Sequence, residues 1–180
     1  CTTKRTVSKK YKGGVHDYNK IRRELTMLCK SHPNECVTTM FDYYAMPKDT
    51  PEIGLHDPDI YERIDKIEEA INRDIGQANC MFHFMLHEFE GILFSNPESF
   101  GLIAEDEVVN KIREIRENYP TPEHINNSPE TAPSKRLEKL IPNYAKIKNG
   151  TLISKDMGID KILSECPHFR EWVKQIIHLG

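Results

Sequence analysis

Two carboxylates, Glu88 and Glu90, follow directly on an apolar run of the sequence. That run, Asn79 to His87, has the length of a buried strand, and no turn residue interrupts it. In open α/β sheets, ligands bind beyond the carboxyl ends of the strands, and carboxylate oxygens are the ligands that hard cations prefer. The two acids are therefore candidate metal ligands, placed where the strand ends and a short helix, Phe89 to Phe94, begins.

A purely structural role for these acids is the alternative. A glutamate in the first turn of a helix complements the helix dipole, and it can cap the helix without binding anything else. A second acidic strand end in the chain would favour a metal site, because the carboxyl ends of parallel strands meet at one edge of a sheet.

Asp42 supplies that second acidic strand end. It lies near the carboxyl end of Cys36 to Tyr44, a stretch rich in β-branched and aromatic residues that predicts a strand. A buried aspartate is costly unless it is paired, hydrogen-bonded or bound to metal. Asp42 therefore joins the two glutamates as a candidate catalytic and metal-binding residue.

One clear helix, Pro58 to Ile75, separates the two predicted strands. Isoleucines repeat every three or four residues along it and form one apolar stripe: Ile60, Ile64, Ile67, Ile71 and Ile75. Asp57 is the predicted N-cap, and Gly76 is predicted to end the helix. A strand, a crossover helix and a second strand predict a βαβ unit with parallel strands. If those strands are neighbours, the three acids lie at the same edge of the sheet.

Two histidines, His83 and His87, lie on the same face of the second predicted strand, because side chains alternate along a strand. With Glu88 they could form a metal or general-base cluster. A histidine within an apolar strand is also commonly a hydrogen-bonded core residue, so both roles stay open. The segment is not the zinc motif HExxH, because the second histidine of that motif is missing.

The overall composition excludes several classes of protein. The chain has 180 residues, enough for one domain with a sizeable core, and its formal net charge of −3 is unlike that of a strongly basic nucleic-acid binder. No apolar segment is long enough to span a membrane. The five cysteines are odd in number and form no CxxC pair, which predicts reduced thiols in a cytoplasmic protein.

Basic residues are concentrated near the start of the chain, in Cys1 to Gly14. Lys12, next to a pair of glycines, could contact a phosphate group, although a solvated surface is the simpler interpretation. A local basic rim beside an acidic metal site would suit a phosphodiester substrate.

The chain is predicted to be a single domain, 1–180, in two parts. Residues 1–95 form an α/β core, and residues 96–180 form a helical, irregular part that packs on it. The helices predicted outside the βαβ unit are Tyr18–Ser31, Glu105–Asn118, Ser134–Ile141, Ser154–Ser164 and Pro167–His178. The last of these is predicted to face the core with Trp172, Val173, Ile176 and Ile177.

Five short segments carry a resemblance to a known family: Lys10–Val15, Val37–Tyr44, His87–Phe94, Ser128–Arg136 and Cys166–Trp172. Together and in this order they resemble a bacterial domain of unknown function, DUF4276, and they cover nearly the whole chain. Members of that family look like TOPRIM proteins. The resemblance therefore implies an α/β fold with a TOPRIM-like core, a small and mainly parallel sheet flanked by helices.

The resemblance also implies a catalytic arrangement. TOPRIM catalysis uses a Glu after the first strand and an Asp-x-Asp pair after a later strand to hold Mg²⁺ or Mn²⁺. Asp42 matches the first Asp of that pair, whereas Tyr44 stands where the second would be. The resemblance places the segment with the first Glu before Cys1, so the chain is expected to lack its N-terminal strand. Glu88 and Glu90 could supply the missing carboxylates.

Two basic residues of the Ser128–Arg136 segment, Lys135 and Arg136, are further candidates for phosphate binding. The alternative is that they pin an irregular loop to the core. With Lys12, they make up the predicted phosphate-binding set.

Two functions remain as hypotheses. The first is a metal-dependent phosphodiester hydrolase, a TOPRIM-type nuclease that uses Mg²⁺ or Mn²⁺ on nucleic acid, with DNA as the expected substrate. The second is a non-catalytic scaffold or regulatory subunit. The resemblance implies such a role because TOPRIM-like proteins of this kind are often paired with AAA or SMC-like ATPases, commonly in defence against foreign DNA. Metal dependence separates the two, because only the first needs the acids to bind a cation.

Overall fold

The computed structural model describes residues 17–86, 88–125 and 131–179. The predictions for Lys12 and His87 lie outside this part of the chain. The helices and strands within it are α1 Tyr18–Ser31, β1 Val37–Thr38, β2 Phe41–Asp42, α2 Ile60–Ile75, β3 Cys80–Met81, β4 Phe84–Met85, α3 Phe89–Leu93, α4 Asp106–Glu117, α5 Pro133–Leu140, α6 Lys146–Glu165 and α7 Pro167–Leu179. Among these helices, none is long and apolar enough to cross a membrane.

The predicted βαβ unit is present, and the fold is α/β with most of the described chain in helices. β1 pairs with β3, and β2 pairs with β4, in both cases parallel. The strands on the two sides of α2 are therefore neighbours, which was the assumption behind the predicted acidic edge. The result is two small two-stranded sheets in place of one continuous sheet.

The continuous strands predicted over residues 36–44 and 79–87 were wrong, because each is interrupted in its middle. At the interruption, the hydroxyl of Thr39 donates to the carbonyl of His83 at 3.0 Å and accepts from the His83 N–H at 2.9 Å. A side chain thus takes the place of the backbone ladder. Backbone pairing resumes at Phe41, whose N–H donates to the same carbonyl at 3.3 Å.

Helix α2 is built on its isoleucine stripe. Ile64, Ile67, Ile71 and Ile75 are buried against α1 and the strands. The N-cap is Asp59, which accepts from the N–H of Tyr61 at 2.8 Å, and not the predicted Asp57. The helix ends as predicted at Gly76, whose φ of 63° lies in the left-handed region that glycine adopts without strain.

Two polar side chains of α2 also accept hydrogen bonds from the backbone in and just before β4. Asn72 accepts from the N–H of Phe82 at 2.8 Å, and Glu68 accepts from the N–H of Phe84 at 2.6 Å. These backbone groups would otherwise be unpaired in a buried setting, which is costly. Helix and strand are therefore held in a fixed register.

A second apolar cluster lies among helices α3 to α7 and contains the fully buried Phe94, Phe100, Ile112, Leu137 and Ile153. Helix α6 begins at Lys146, eight residues before the predicted start at Ser154, and it bends at Gly158, whose φ is 74°. In α7, Trp172 and Val173 pack on this cluster as predicted. Ile176 and Ile177, predicted to face the core, are exposed.

A side-chain hydrogen bond connects the last helix, α7, to the first strand, β1. The Nε1–H of Trp172 donates to Thr38 Oγ1 at 2.8 Å, and the indole ring stacks on His83 with 4.6 Å between ring centroids. Thr38 in turn donates to the carbonyl of Met81 at 2.7 Å. The β1–β3 pair is thus completed by a side chain 134 positions further along the chain.

Candidate functional site

The structure brings the three predicted acids together where β2 and β4 end. Asp42 is the last residue of β2, Glu88 is the residue before α3, and Glu90 lies in the first turn of α3. Glu88 and Glu90 are buried, and Asp42 is half-buried. Their charges therefore interact through a medium less screening than water. These three residues are called the acidic site below.

Asp42 shows the electrostatic strain of this arrangement. Burial, followed by repulsion from Glu88 and then Glu90, raises the pKa of Asp42 to about 6, while Lys146 and a hydrogen bond from the Phe89 N–H oppose the rise. Carboxylates that share a site behave in this way, because like charges disfavour ionisation. Such groups are concentrated at functional sites, although structural networks produce them as well.

Glu88 is held by the start of α5. The N–H of Ser134 donates to Glu88 Oε2 at 2.9 Å, and the Ser134 hydroxyl donates to Oε1 at 3.0 Å. Ser134 follows Pro133 in the first turn of α5, where backbone N–H groups lack partners within the helix. Glu88 therefore caps α5, and its side chain makes no cap hydrogen bond to α3. The capping role considered above exists, but for a different helix.

Replacement of Ser134 by Ala tests this hold on Glu88. We expect the free energy of unfolding to fall by about 2 kcal/mol, because a buried carboxylate loses one of its two hydrogen bonds from this residue. Urea unfolding of both proteins measures the change. Ser164→Ala is the matched control, since its hydroxyl bonds only a helix carbonyl at the surface. Equal losses in the two variants would contradict a special role for Ser134.

Lys146, the first residue of α6, partly neutralises the acidic site. Its Nζ lies 3.6 Å from Glu90 Oε1 and 3.9 Å from Glu88 Oε1, and its side chain is about half exposed. A positive charge is unfavourable at the N-terminus of a helix, so the two glutamates offset a cost that α6 would otherwise bear. Lys135 is a second cation near the site, because Glu138 and, more weakly, Glu88 raise its pKa. Among the described residues, the three carboxylates still outnumber these two cations.

Tyr44 completes the rim of the site. Its hydroxyl lies near Glu88, and the residue is largely exposed. Burial, with Glu88 and Asp42 nearby, raises the pKa of Tyr44 above its ordinary value, so the hydroxyl stays a donor at neutral pH. Tyr44 therefore supplies a neutral hydroxyl at the rim of the acidic site.

Of the predicted phosphate contacts, Lys135 lies near the acidic site, because its partner Glu138 and then Glu88 raise its pKa, whereas Arg136 is engaged elsewhere. Lys135 pairs with Glu138 on the exposed side of α5, at 2.6 Å. Arg136 turns the other way: its Nε donates to the carbonyl of Thr131 at 2.7 Å, and its Nη2 donates to the Tyr119 hydroxyl at 2.8 Å. These contacts are those of a residue that pins a loop. Lys12 lies outside the described residues.

A second group of potential ligands lies between α2 and α7. Among the described residues, Glu68, His83 and His168 place one possible ligand atom each within 4.8 Å of one another, so this group could hold a metal ion. The oxygens of the acidic site are not gathered so closely in this structure. Glu68 Oε1 lies 3.2 Å from His168 Nε2 and 3.6 Å from His83 Nδ1.

The ring planes of the two histidines oppose metal binding in this arrangement. His83 and His168 stack with 4.5 Å between centroids and 19° between planes, whereas an imidazole nitrogen binds a metal in the plane of its ring. Burial lowers the pKa of His83 to about 2, so its ring is neutral. Burial disfavours charge on His168, but the hydrogen bond to Glu68 outweighs it and raises the pKa of His168. Glu68 and His168 are better described as a buried ion pair, and the neutral ring of His83 stacks on that of His168.

Sequence reasoning missed the roles of three residues that shape the acidic site: Ser134 holds Glu88, Lys146 is the counter-charge, and the Tyr44 hydroxyl lies near Glu88 at the rim. Only Ser134 had a signal, because a serine one position after a helix-starting proline has its N–H and hydroxyl free for an acceptor. Lys146 lies 56 residues beyond Glu90 in the sequence, and no local pattern connects the two.

Comparison with known proteins gives one match. The family model described as "Domain of unknown function (DUF4276)" matches residues 1–177. Neither the curated proteins nor the solved structures contain a significant match to this chain.

Proposed function

The chain belongs to the DUF4276 family, whose description names no activity, and we propose that it is a metal-dependent phosphodiester hydrolase of the nuclease type, with Mg²⁺ or Mn²⁺ bound by Asp42, Glu88 and Glu90. One observation carries the proposal. Three carboxylates from the ends of two paired parallel strands meet at one edge, at the position where α/β proteins bind ligands. Burial, followed by repulsion from Glu88 and Glu90, raises the pKa of Asp42, and a bound cation would relieve that repulsion.

The donor set fits a hard cation. All the candidate ligand atoms are carboxylate oxygens, which suit Mg²⁺ and Mn²⁺ better than softer metals. Such a cation, when bound, would activate water and stabilise negative charge on a phosphate. Ser134 holds Glu88 in place for this purpose through its N–H and hydroxyl, and the Phe89 N–H lies near enough to Asp42 to oppose the rise in its pKa.

The other residues of the site suit a phosphodiester substrate. Tyr44 offers a hydroxyl donor at the exposed rim, and Lys146 offers an ammonium. Both are able to stabilise the negative oxygens of a phosphate. A TOPRIM-like ancestry, DNA as the substrate and a role in defence against foreign DNA complete the proposal; they rest on the family resemblance.

A second candidate function is a scaffold or regulatory partner of an AAA or SMC-like ATPase. The observation in its favour is that Ser134 of α5 already holds Glu88 with two hydrogen bonds, so the acidic site has a structural purpose without any metal. In that case the acids would stabilise the fold, and their replacement would leave binding to the ATPase intact.

Cleavage assays test the first candidate against the second. We expect the protein to cut plasmid or single-stranded nucleic acid in Mn²⁺ or Mg²⁺, and the rate to fall at least roughly a hundredfold in Glu90→Gln, because a metal ligand is lost. Asp160→Asn, an exposed acid on α6, serves as the matched control. A metal-independent rate, or an unchanged rate in folded Glu90→Gln, would contradict the proposal.

A further inference from the structure

Lys146 occupies the position from which a positive charge serves the acidic site. Its ammonium lies 3.6 Å and 3.9 Å from oxygens of two different glutamates, Glu90 and Glu88, and these distances are those of ion pairs without a tight hydrogen bond. The lysine side chain is 46% exposed, whereas the two carboxylates are nearly covered. The lysine is therefore the solvent-accessible member of the group, and the acids are the covered members.

The location of Lys146 in its helix gives a second, independent argument. It is the first residue of α6, where the helix dipole repels a positive charge. The next residue, Ile147, has an almost fully exposed side chain, whereas Gly150, one turn later, packs against Phe89 of α3, so the start of α6 is held on one side and open on the other. Nothing in α6 itself favours the ammonium at this position, and its attraction to Glu88 and Glu90 accounts for it.

An open space lies beside the ammonium. A cleft of about 250 Å³ is lined by Phe89, Glu90, Lys146, Ile147 and Thr151. A lysine side chain has four rotatable methylene groups and can swing into such a space without moving the helix. The ammonium can therefore leave the carboxylates while staying at the rim of the site.

From these observations we propose that Lys146 is an internal substitute for the metal: it competes with the divalent cation for Glu88 and Glu90 and moves into the cleft when the cation binds. The inference rests on the proposed function, because it concerns the same metal, and it adds competition with the cation to the proposed contact of Lys146 with the phosphate. Displaced in this way, the ammonium lies beside the metal, where it can meet the phosphate of a substrate. The protein would thus hold the metal weakly until substrate supplies the lysine with another partner.

The test is the affinity for Mn²⁺ alone, measured by electron paramagnetic resonance of free Mn²⁺ and by calorimetry. We expect Lys146→Gln to bind Mn²⁺ about tenfold more tightly than the unmodified protein, because the competing charge is gone. Lys146→Arg, which keeps the charge, should bind with nearly the original affinity. Lys148→Gln, an exposed lysine of the same helix, is the control and should not change the affinity.

A thermal readout guards against misfolded variants. At a saturating Mn²⁺ concentration, the rise in Tm should be about 3 to 5 °C larger for Lys146→Gln than for the unmodified protein, as a tenfold tighter site requires. Equal or weaker Mn²⁺ binding by folded Lys146→Gln would overturn the inference and leave the proposed function intact. If the unmodified protein and all the variants fail to bind Mn²⁺, the inference and the metal-dependent function fall together.

Discussion

Replacing Asp42 by Asn is expected to make the protein more stable at neutral pH while it removes metal-dependent cleavage. The amide keeps an acceptor for the Phe89 N–H but ends the repulsion from Glu88 and Glu90. After allowance for solvent screening of a half-buried group, the gain in the free energy of unfolding is about 1 kcal/mol. The same change removes a proposed metal ligand, so cleavage should fall at least roughly a hundredfold. A stability gain coupled to a loss of activity is the usual signature of a functional site.

The pH dependence of that gain follows from the raised pKa. The folded-state pKa of Asp42, about 6, lies above its ordinary value of 3.8, so the folded protein binds this proton more tightly than the unfolded chain does. The aspartate therefore destabilises the fold progressively as the pH rises from about 4 to about 7. The advantage of Asp42→Asn should be absent near pH 4 and complete near pH 7.

Urea unfolding at several pH values, with Asp160→Asn as an exposed control, measures the difference between variant and unmodified protein. Using a difference is necessary because the shifted pKa values of His83 and His168 also make stability depend on pH, and those contributions cancel. A variant that is equally destabilised at every pH would show that Asp42 is a structural residue without electrostatic strain.

Glu123→Ala is expected to cause the largest loss of stability among the substitutions considered. Its buried carboxylate accepts from the N–H groups of His168 at 3.1 Å and Phe169 at 2.9 Å, and from the Tyr61 hydroxyl at 3.1 Å. The first two bonds cap α7, which has Pro167 at its start. Alanine leaves two buried N–H groups without this acceptor and removes one partner of the half-buried Tyr61 hydroxyl, which also bonds Thr121 at 2.8 Å. The free energy of unfolding should therefore fall by about 3 to 5 kcal/mol.

Two further variants make the effect of Glu123 interpretable. Glu123→Gln keeps one acceptor oxygen and should lose about half as much stability. Its single carbonyl oxygen cannot replace both carboxylate oxygens, which accept from different N–H groups. Glu117→Ala, an exposed glutamate at the end of α4, should change the free energy of unfolding by less than about 0.5 kcal/mol. An equal effect of the Ala substitutions at positions 117 and 123, measured by urea unfolding, would contradict the cap.

The parts of the fold that the sequence predicted are those set by local periodicity. The isoleucine stripe of α2 specified a buried helix, and its neighbours specified parallel strands, so the meeting of Asp42 with Glu88 and Glu90 could be predicted before the structure was known. The interruption at Thr39 could not, because a threonine is a favourable strand residue, and only the position of His83 opposite it makes the hydroxyl a substitute for the ladder.

The partners of the acids were unpredictable for a related reason. Ser134 and Lys146 reach the site from helices that follow an irregular, proline-containing stretch, and no periodic pattern says where such helices pack. Glu123 lies within that stretch and was not singled out, although it caps a helix 44 residues later in the sequence. Side-chain bonds between distant segments depend on the assembled fold, which single-sequence patterns do not contain.

The bond between Trp172 and Thr38 has a consequence for how the protein is made. A ribosome releases β1 early, but the indole that completes its surroundings is synthesised 134 residues later. During that interval the β1–β3 pair of the nascent chain is incompletely covered. Exposed strands of this kind pair with strands of other chains and lead to aggregation. Contacts between the two ends of a chain also slow folding, because a long loop must close before they form. We therefore expect the rate of translation and the presence of chaperones to affect the yield of this protein. A ribosome stalled before Trp172 would expose the β1–β3 pair without the indole that covers it.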